Sequence, residues 1–142
     1  MGSHWKDLEV WKQSHQLVLS IYGIIQSFPP DEKYALADQV KRAAYSVPAN
    51  IVEGHSRSSK KEFIKYLYIS RASLEELRYF LLLSHDLGFL NTDAHLEFEN
   101  KCVHISKMIN GLLKSLKLFF AILNISEKIQ PRTDYSTLSY NL

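Results

Sequence analysis

Catalysis needs reactive groups within reach of one another, so the titratable residues are read first. The six histidines are His4, His15, His55, His85, His95 and His104. None has a second histidine four residues on, the spacing that presents two imidazoles to zinc from one helical face. No Glu-x-x-His run occurs, so the carboxylate–histidine pattern of di-iron bundles is missing. His95 and Glu99 stand one helical turn apart and read as a surface contact. Glu75 and Glu76 are neighbours; on a helix they point about 100° apart and make a poor acid–base pair. Glu53 precedes Gly54 beside a basic loop and reads as an ion-pair partner for Arg57. The single cysteine, Cys102, falls on an apolar stripe and reads as an inert core thiol. There is no Gly-rich phosphate loop and no G-x-S-x-G. These residues call for no catalytic group, metal or cofactor, and the expectation is a protein that is not an enzyme.

Charge is the remaining source of chemistry. The formal net charge is only +2 over 142 residues, so any polyanion binding must come from distribution. Residues 33–78 hold nine Lys or Arg against five acids, whereas residues 1–32 are net negative and residues 79–142 balance. Lys41 and Arg42 are adjacent, and Arg57, Lys60, Lys61 and Lys65 surround the start of a predicted helix. A helix N-terminus presents free N–H groups and a positive dipole end, and basic side chains there add to its attraction for phosphate. Ser56, Ser58 and Ser59 add hydroxyls. The expectation is that these six cations converge on one nucleic-acid-binding patch. The alternative is a solvated face that keeps the protein in solution.

Four segments with helical period must position these groups. The first spans about Leu8 to Ser27, with Val10, Leu17, Val18, Ile21, Ile24, Ile25 and Phe28 on one face; Pro29-Pro30 stops it. The second begins near Asp31-Glu32, carries Leu36, Val40, Ala43, Val47 and Ile51, and stops at Gly54. Pro48 inside it predicts a kink. The third opens on a capping box, Ser59 with Glu62, and its seam of Phe63, Leu67, Ser70, Leu74, Leu77 and Leu81 ends at Leu87-Gly88. The fourth follows Asn91-Thr92-Asp93, with a heptad seam of Phe98, Cys102, Ile105, Ile109, Leu112, Leu116 and Phe119, and fades near Leu123. The fold class expected is all-α: an antiparallel up-down four-helix bundle over residues 5–123, with a frayed or docked tail over 124–142. Met1-Gly2-Ser3-His4 has the form of an expression-tag remnant and is left out of this reading.

Composition agrees. Hydrophobic residues are 46% and charged residues 23%, the balance of a globular domain, which excludes wholesale disorder. A lone thiol excludes a disulfide-stapled fold. No uninterrupted apolar run nears the ~20 residues of a bilayer span, and no signal-peptide layout opens the chain, so a cytoplasmic location without membrane attachment is expected. Ile64, Tyr68, Ala72, Tyr79 and Phe80, with Val103, Met108, Leu113 and Phe120, exceed what one seam can use. They fit either a wide core face or a subunit interface.

The run from Lys41 to Gly54, K-R-A-A-Y-S-V-P-A-N-I-V-E-G, resembles the signature of the 23S ribosomal RNA intervening-sequence proteins, roughly R-R-A-A-x-S-I-P-x-N-I-A-E-G. Lys41, Val47 and Val52 are mild departures. The likeness continues through Arg57, Ser59, Glu62-Phe63, Leu67 and Ser73-x-x-Glu76-Leu77 to Leu87-Gly88-Phe89-Leu90, and upstream at Leu8-Glu9-Val10-Trp11 and Phe28-Pro29. The resemblance implies an antiparallel four-helix bundle assembled as a homopentamer. It implies structural roles for Asn50, Glu53 and Gly54, and nucleic-acid contacts at Arg42 and Arg57. Through a related accessory protein of diversity-generating retroelements, it also implies RNA, DNA or a reverse transcriptase as partners. Two functions are therefore expected as alternatives: a bundle that binds RNA or DNA backbone, and a protein-interaction scaffold or accessory subunit with no nucleic-acid binding of its own.

Overall fold

The computed structural model describes residues 4–129. Four helices make up the fold: α1 (Glu9–Ile24), α2 (Leu36–His55), α3 (Lys60–Asp86) and α4 (Thr92–Ile129). No strand occurs among the described residues.

Each helix ends for a local reason. α1 tightens into a 3-10 turn, Ile25–Ser27, where the Ser27 hydroxyl donates to the Ile24 carbonyl at 2.7 Å. α2 starts later than its acidic residues predict: Pro30–Glu32 forms a separate 3-10 turn and Ala35 leaves helical dihedrals at φ −122° and ψ −107°. Glu32 nevertheless caps the helix from outside, its carboxylate accepting from the Leu36 N–H at 3.2 Å. Ser59 accepts from the Glu62 N–H at 3.1 Å, so one half of the capping box forms. α3 closes through Gly88, held at φ +81°, where a side chain is disfavoured. There the Phe89 N–H donates to the Ser84 carbonyl at 2.9 Å, the bond of a Schellman motif. Asn91 then caps α4 by accepting from the Ala94 N–H at 2.8 Å.

Every helix packs against the next in the chain, and α4 returns to α1. Along one interface Arg78 meets Glu99, Arg71 meets Asn110 and Lys60 lies over Phe119. One number falls as the other rises, so α3 and α4 run in opposite directions. The core is a single cluster drawn from all four helices, including Leu17, Ile21, Val40, Val47, Ile51, Leu67, Leu74, Leu77, Ile105 and Ile109. The α3 seam is buried at every predicted position, Ser70 included. Ser70 is satisfied there because its hydroxyl donates to the Val47 carbonyl at 2.8 Å. Pro48 lies inside α2 and is buried.

The α4 seam departs from a strict heptad. Phe98, Cys102, Ile105, Ile109 and Leu116 are buried as predicted, but Leu113 replaces Leu112, and Phe119 is 40% exposed. A helix turning at 3.6 residues drifts about 20° per heptad, so over the three heptads from Phe98 to Phe119 an extrapolated 3.5 repeat turns about 60° away from the core. The backbone stays helical to Ile129, past Leu123, where the apolar seam ends. The rest of the predicted tail, 130–142, lies outside the described residues.

Candidate nucleic-acid interface

The α2–α3 corner is built by close approach. Gly54, buried in the last turn of α2, lies against α3 so tightly that a Cβ on it would meet Tyr66 Cβ at 2.5 Å. The packing brings Arg57, just past α2, onto Tyr66 of α3. Its guanidinium donates to the Tyr66 hydroxyl at 2.8 Å and to the Glu53 carboxylate one turn back. The Glu53 hydrogen bond, then the charge of Tyr66, hold the Arg57 pKa above its ordinary value. Glu53 is therefore the ion-pair partner its spacing predicts, and Arg57 meets solvent partly neutralised.

Lys60, Lys61 and Lys65 are exposed on the first two turns of α3. The Lys60 ammonium sits 4.2 Å from the Phe119 ring centroid and that of Lys65 5.9 Å from Tyr66. None of the three pairs with a carboxylate among the described residues. Cations in a first helical turn oppose the macrodipole, an effect of about 0.3–1 kcal/mol each. The local arrangement is thus one that an anion would relieve.

The six predicted cations do not form one patch. Lys41 and Arg42 occupy the other half of α2, about 20 Å along the helix from His55 at 1.5 Å per residue. Lys41 lies 5.8 Å from the Tyr22 ring and, with Lys33, Tyr22, Phe28 and Pro29, borders a cavity of about 320 Å³. The last thirteen residues of α2, Ala43 to His55, hold them apart from Arg57 and the lysines of α3.

A further cationic group was hidden in the sequence. Tyr68 and Arg71 of α3 and Asn110, Leu113, Lys114 and Lys117 of α4 line one groove of about 380 Å³. The Tyr68 ring has the Arg71 guanidinium at 4.8 Å and the Lys117 ammonium at 4.7 Å. Arg71 donates to Asn110 Oδ1 at 3.0 Å. The signal was present: residues 100–126 contain four Lys and no acid, and Lys107, Asn110, Lys114 and Lys117 share one helical stripe. Over residues 79–142 as a whole these lysines are balanced by acids, among them Asp93, Glu97 and Glu99 at the start of α4.

Two turns of α3 further along the same interface, charges are paired. Arg78 bridges Glu99 of α4 and Glu75 of its own helix, and the Glu99 hydrogen bond raises its pKa despite partial burial. Glu99 therefore faces Arg78, and His95 stacks on His85 at 4.8 Å. Cys102 is buried and its thiol is pushed up to about 12, first by burial and then by the Glu99 charge. Such a thiol is a poor nucleophile. Among the described residues, no three His, Cys, Asp or Glu gather as a metal site.

The sequence pattern of the 23S rRNA-intervening sequence protein family matches residues 6–111, which takes in all of α1 to α3, both lysine groups of α2 and α3, and Arg71. The chain belongs to this family. Its bundle is similar to the crystal structure of a Bacteroides thetaiotaomicron protein of unknown function from the S23 ribosomal protein family. The TM-score is 0.69 at 23% identity, covering 74% of this chain and 98% of that one, a likeness of fold. No curated protein matches. Lys114 and Lys117 fall beyond the stretch that the family pattern matches.

Proposed function

We propose that this family member is a non-enzymatic, oligomeric four-helix bundle that binds RNA or DNA through its phosphate backbone. The observation that carries the reading is the crowding of Lys60, Lys61 and Lys65 on the first turns of α3, with no carboxylate paired to them among the described residues. The family's name, which ties it to insertions in 23S rRNA, is in keeping with an RNA ligand. Binding would be charge neutralisation without base readout, so affinity would fall steeply with salt. Fluorescence anisotropy with single- and double-stranded RNA and DNA at two salt concentrations tests it. Combined Lys60→Glu, Lys61→Glu and Lys65→Glu should abolish binding and leave the solution mass unchanged; unaltered binding would remove this corner from the interface.

The far end of α4 favours a second reading, a scaffold for protein contacts. Leu118, Ile122, Leu123 and Ile125 are exposed there, and apolar patches of this kind mark contacts in assemblies. By length and composition alone α4 is also apolar enough to cross a membrane, though Lys101, Lys107, Lys114 and Lys117 punctuate it. In a homopentamer, the assembly that the family resemblance implies, copies of the chain would cover this face, and the α3 corner would repeat once per subunit. A solution mass equal to one chain would refute assembly.

A further inference from the structure

We propose that the groove between α3 and α4, lined by Tyr68, Arg71, Asn110, Lys114 and Lys117, is where a single-stranded nucleic-acid backbone lies. The inference rests on the reading above and adds the site and strand form. Three cations from two helices face this groove, and no carboxylate lines it. Gathering like charges around one groove is unfavourable unless something compensates. The π face of Tyr68 compensates in part, lying 4.8 Å from Arg71 and 4.7 Å from Lys117. The Asn110 carbonyl oxygen holds one Arg71 nitrogen at 3.0 Å, which fixes the guanidinium plane and leaves its remaining N–H donors for a ligand. The contrast with Arg78, saturated by Glu75 and Glu99 on the same helix edge, marks the groove as the segment where the pairing acids stop.

Strand form follows from the aromatic residues, whose faces can stack on unpaired bases. Beyond Arg71 the same edge of α3 reaches Lys60 eleven residues earlier, about 16 Å away at 1.5 Å per residue. There Lys60 lies over Phe119, a residue that is 40% exposed. Cations alternating with aromatic rings along one groove are the features that hold unpaired strands without sequence preference.

The test compares a fluorescein-labelled 20-nucleotide oligouridine with a 20-base-pair RNA duplex by anisotropy across a salt series. Wild type, Lys114→Gln/Lys117→Gln and a control of equal charge change away from both cationic groups, Lys6→Gln/Lys12→Gln, are measured, with circular dichroism confirming that each folds. The expected result is tighter binding of the single strand, and a groove variant whose log–log salt slope is shallower by about 1.4, two contacts at 0.7 each. Wild-type binding that the groove variant reproduces in affinity and slope overturns the groove assignment while leaving the nucleic-acid reading intact. Tighter duplex binding overturns the strand assignment. A wild type that binds neither probe overturns both readings.

Discussion

Replacing Gly54 by alanine tests whether the α2–α3 corner is held by backbone proximity. The added methyl would stand 2.5 Å from Tyr66 Cβ and 3.0 Å from a ring carbon of Phe63. Carbon atoms rest comfortably at about 3.5–4.0 Å, so α2 and α3 would have to part by roughly 1 Å. Tyr66 Cβ is bonded to its own backbone and cannot swing aside, so the strain falls on the helix pair. Overpacking of this kind costs about 1–3 kcal/mol. Alanine's better helix propensity offsets at most about 1 kcal/mol, and less in a final turn. A net loss of about 1–2 kcal/mol lowers Tm by roughly 3–8 °C in a domain of this size. Parting the helices would also draw Tyr66 from Arg57, now at 2.8 Å. The control is Gly111→Ala, where nothing lies within 4 Å of the new methyl and the same propensity term should raise stability by up to about 1 kcal/mol. Thermal unfolding followed by far-ultraviolet circular dichroism reads both. A Gly54→Ala protein as stable as wild type would refute the close-approach argument.

Three further outcomes follow. Ser70→Ala leaves the Val47 carbonyl without its second, buried partner and should cost about 1 kcal/mol in denaturant unfolding; no loss would mean that the hydroxyl contributes nothing to the α2–α3 contact. Cys102, at about 12 against an ordinary 9.0, keeps its proton when folded and releases it first when unfolded. Its contribution to stability is complete below pH 9 and is lost as pH rises toward 12, so a Cys102→Ala protein should show a flatter decline over that window, and native Cys102 should resist alkylation at pH 8. Glu99→Gln removes the carboxylate that Arg78 spans to reach α4 and should destabilise by about 1 kcal/mol, a loss that salt reduces; a loss unaffected by salt would point to packing instead of charge.

Much of this architecture is legible in one dimension because helical periodicity is a property of spacing. Phe63, Leu67, Ser70, Leu74, Leu77 and Leu81 recur at steps of three and four and are all buried; a polar member is tolerated because Val47 supplies an acceptor. Caps are equally local, as Ser59 and Asn91 accept bonds from residues three positions on. The Glu53–Arg57 pair could be read for the same reason, since four residues are one turn.

Cross-helix relations were not available from spacing. Whether Lys41 and Arg42 join Lys60 depends on the rigid length of α2. Whether Arg71 joins Lys114 and Lys117 depends on the direction and register with which α3 meets α4, forty-odd residues apart in the chain. The slip from Leu112 to Leu113 has the same origin, because the helix's own 3.6-residue turn, summed over several turns, chooses the buried side chain. Local hydrogen bonding and apolar period are enough to dictate the helices and their ends; the charged surface is settled by packing, because side chains distant in sequence become neighbours only when the cores of two helices lock together.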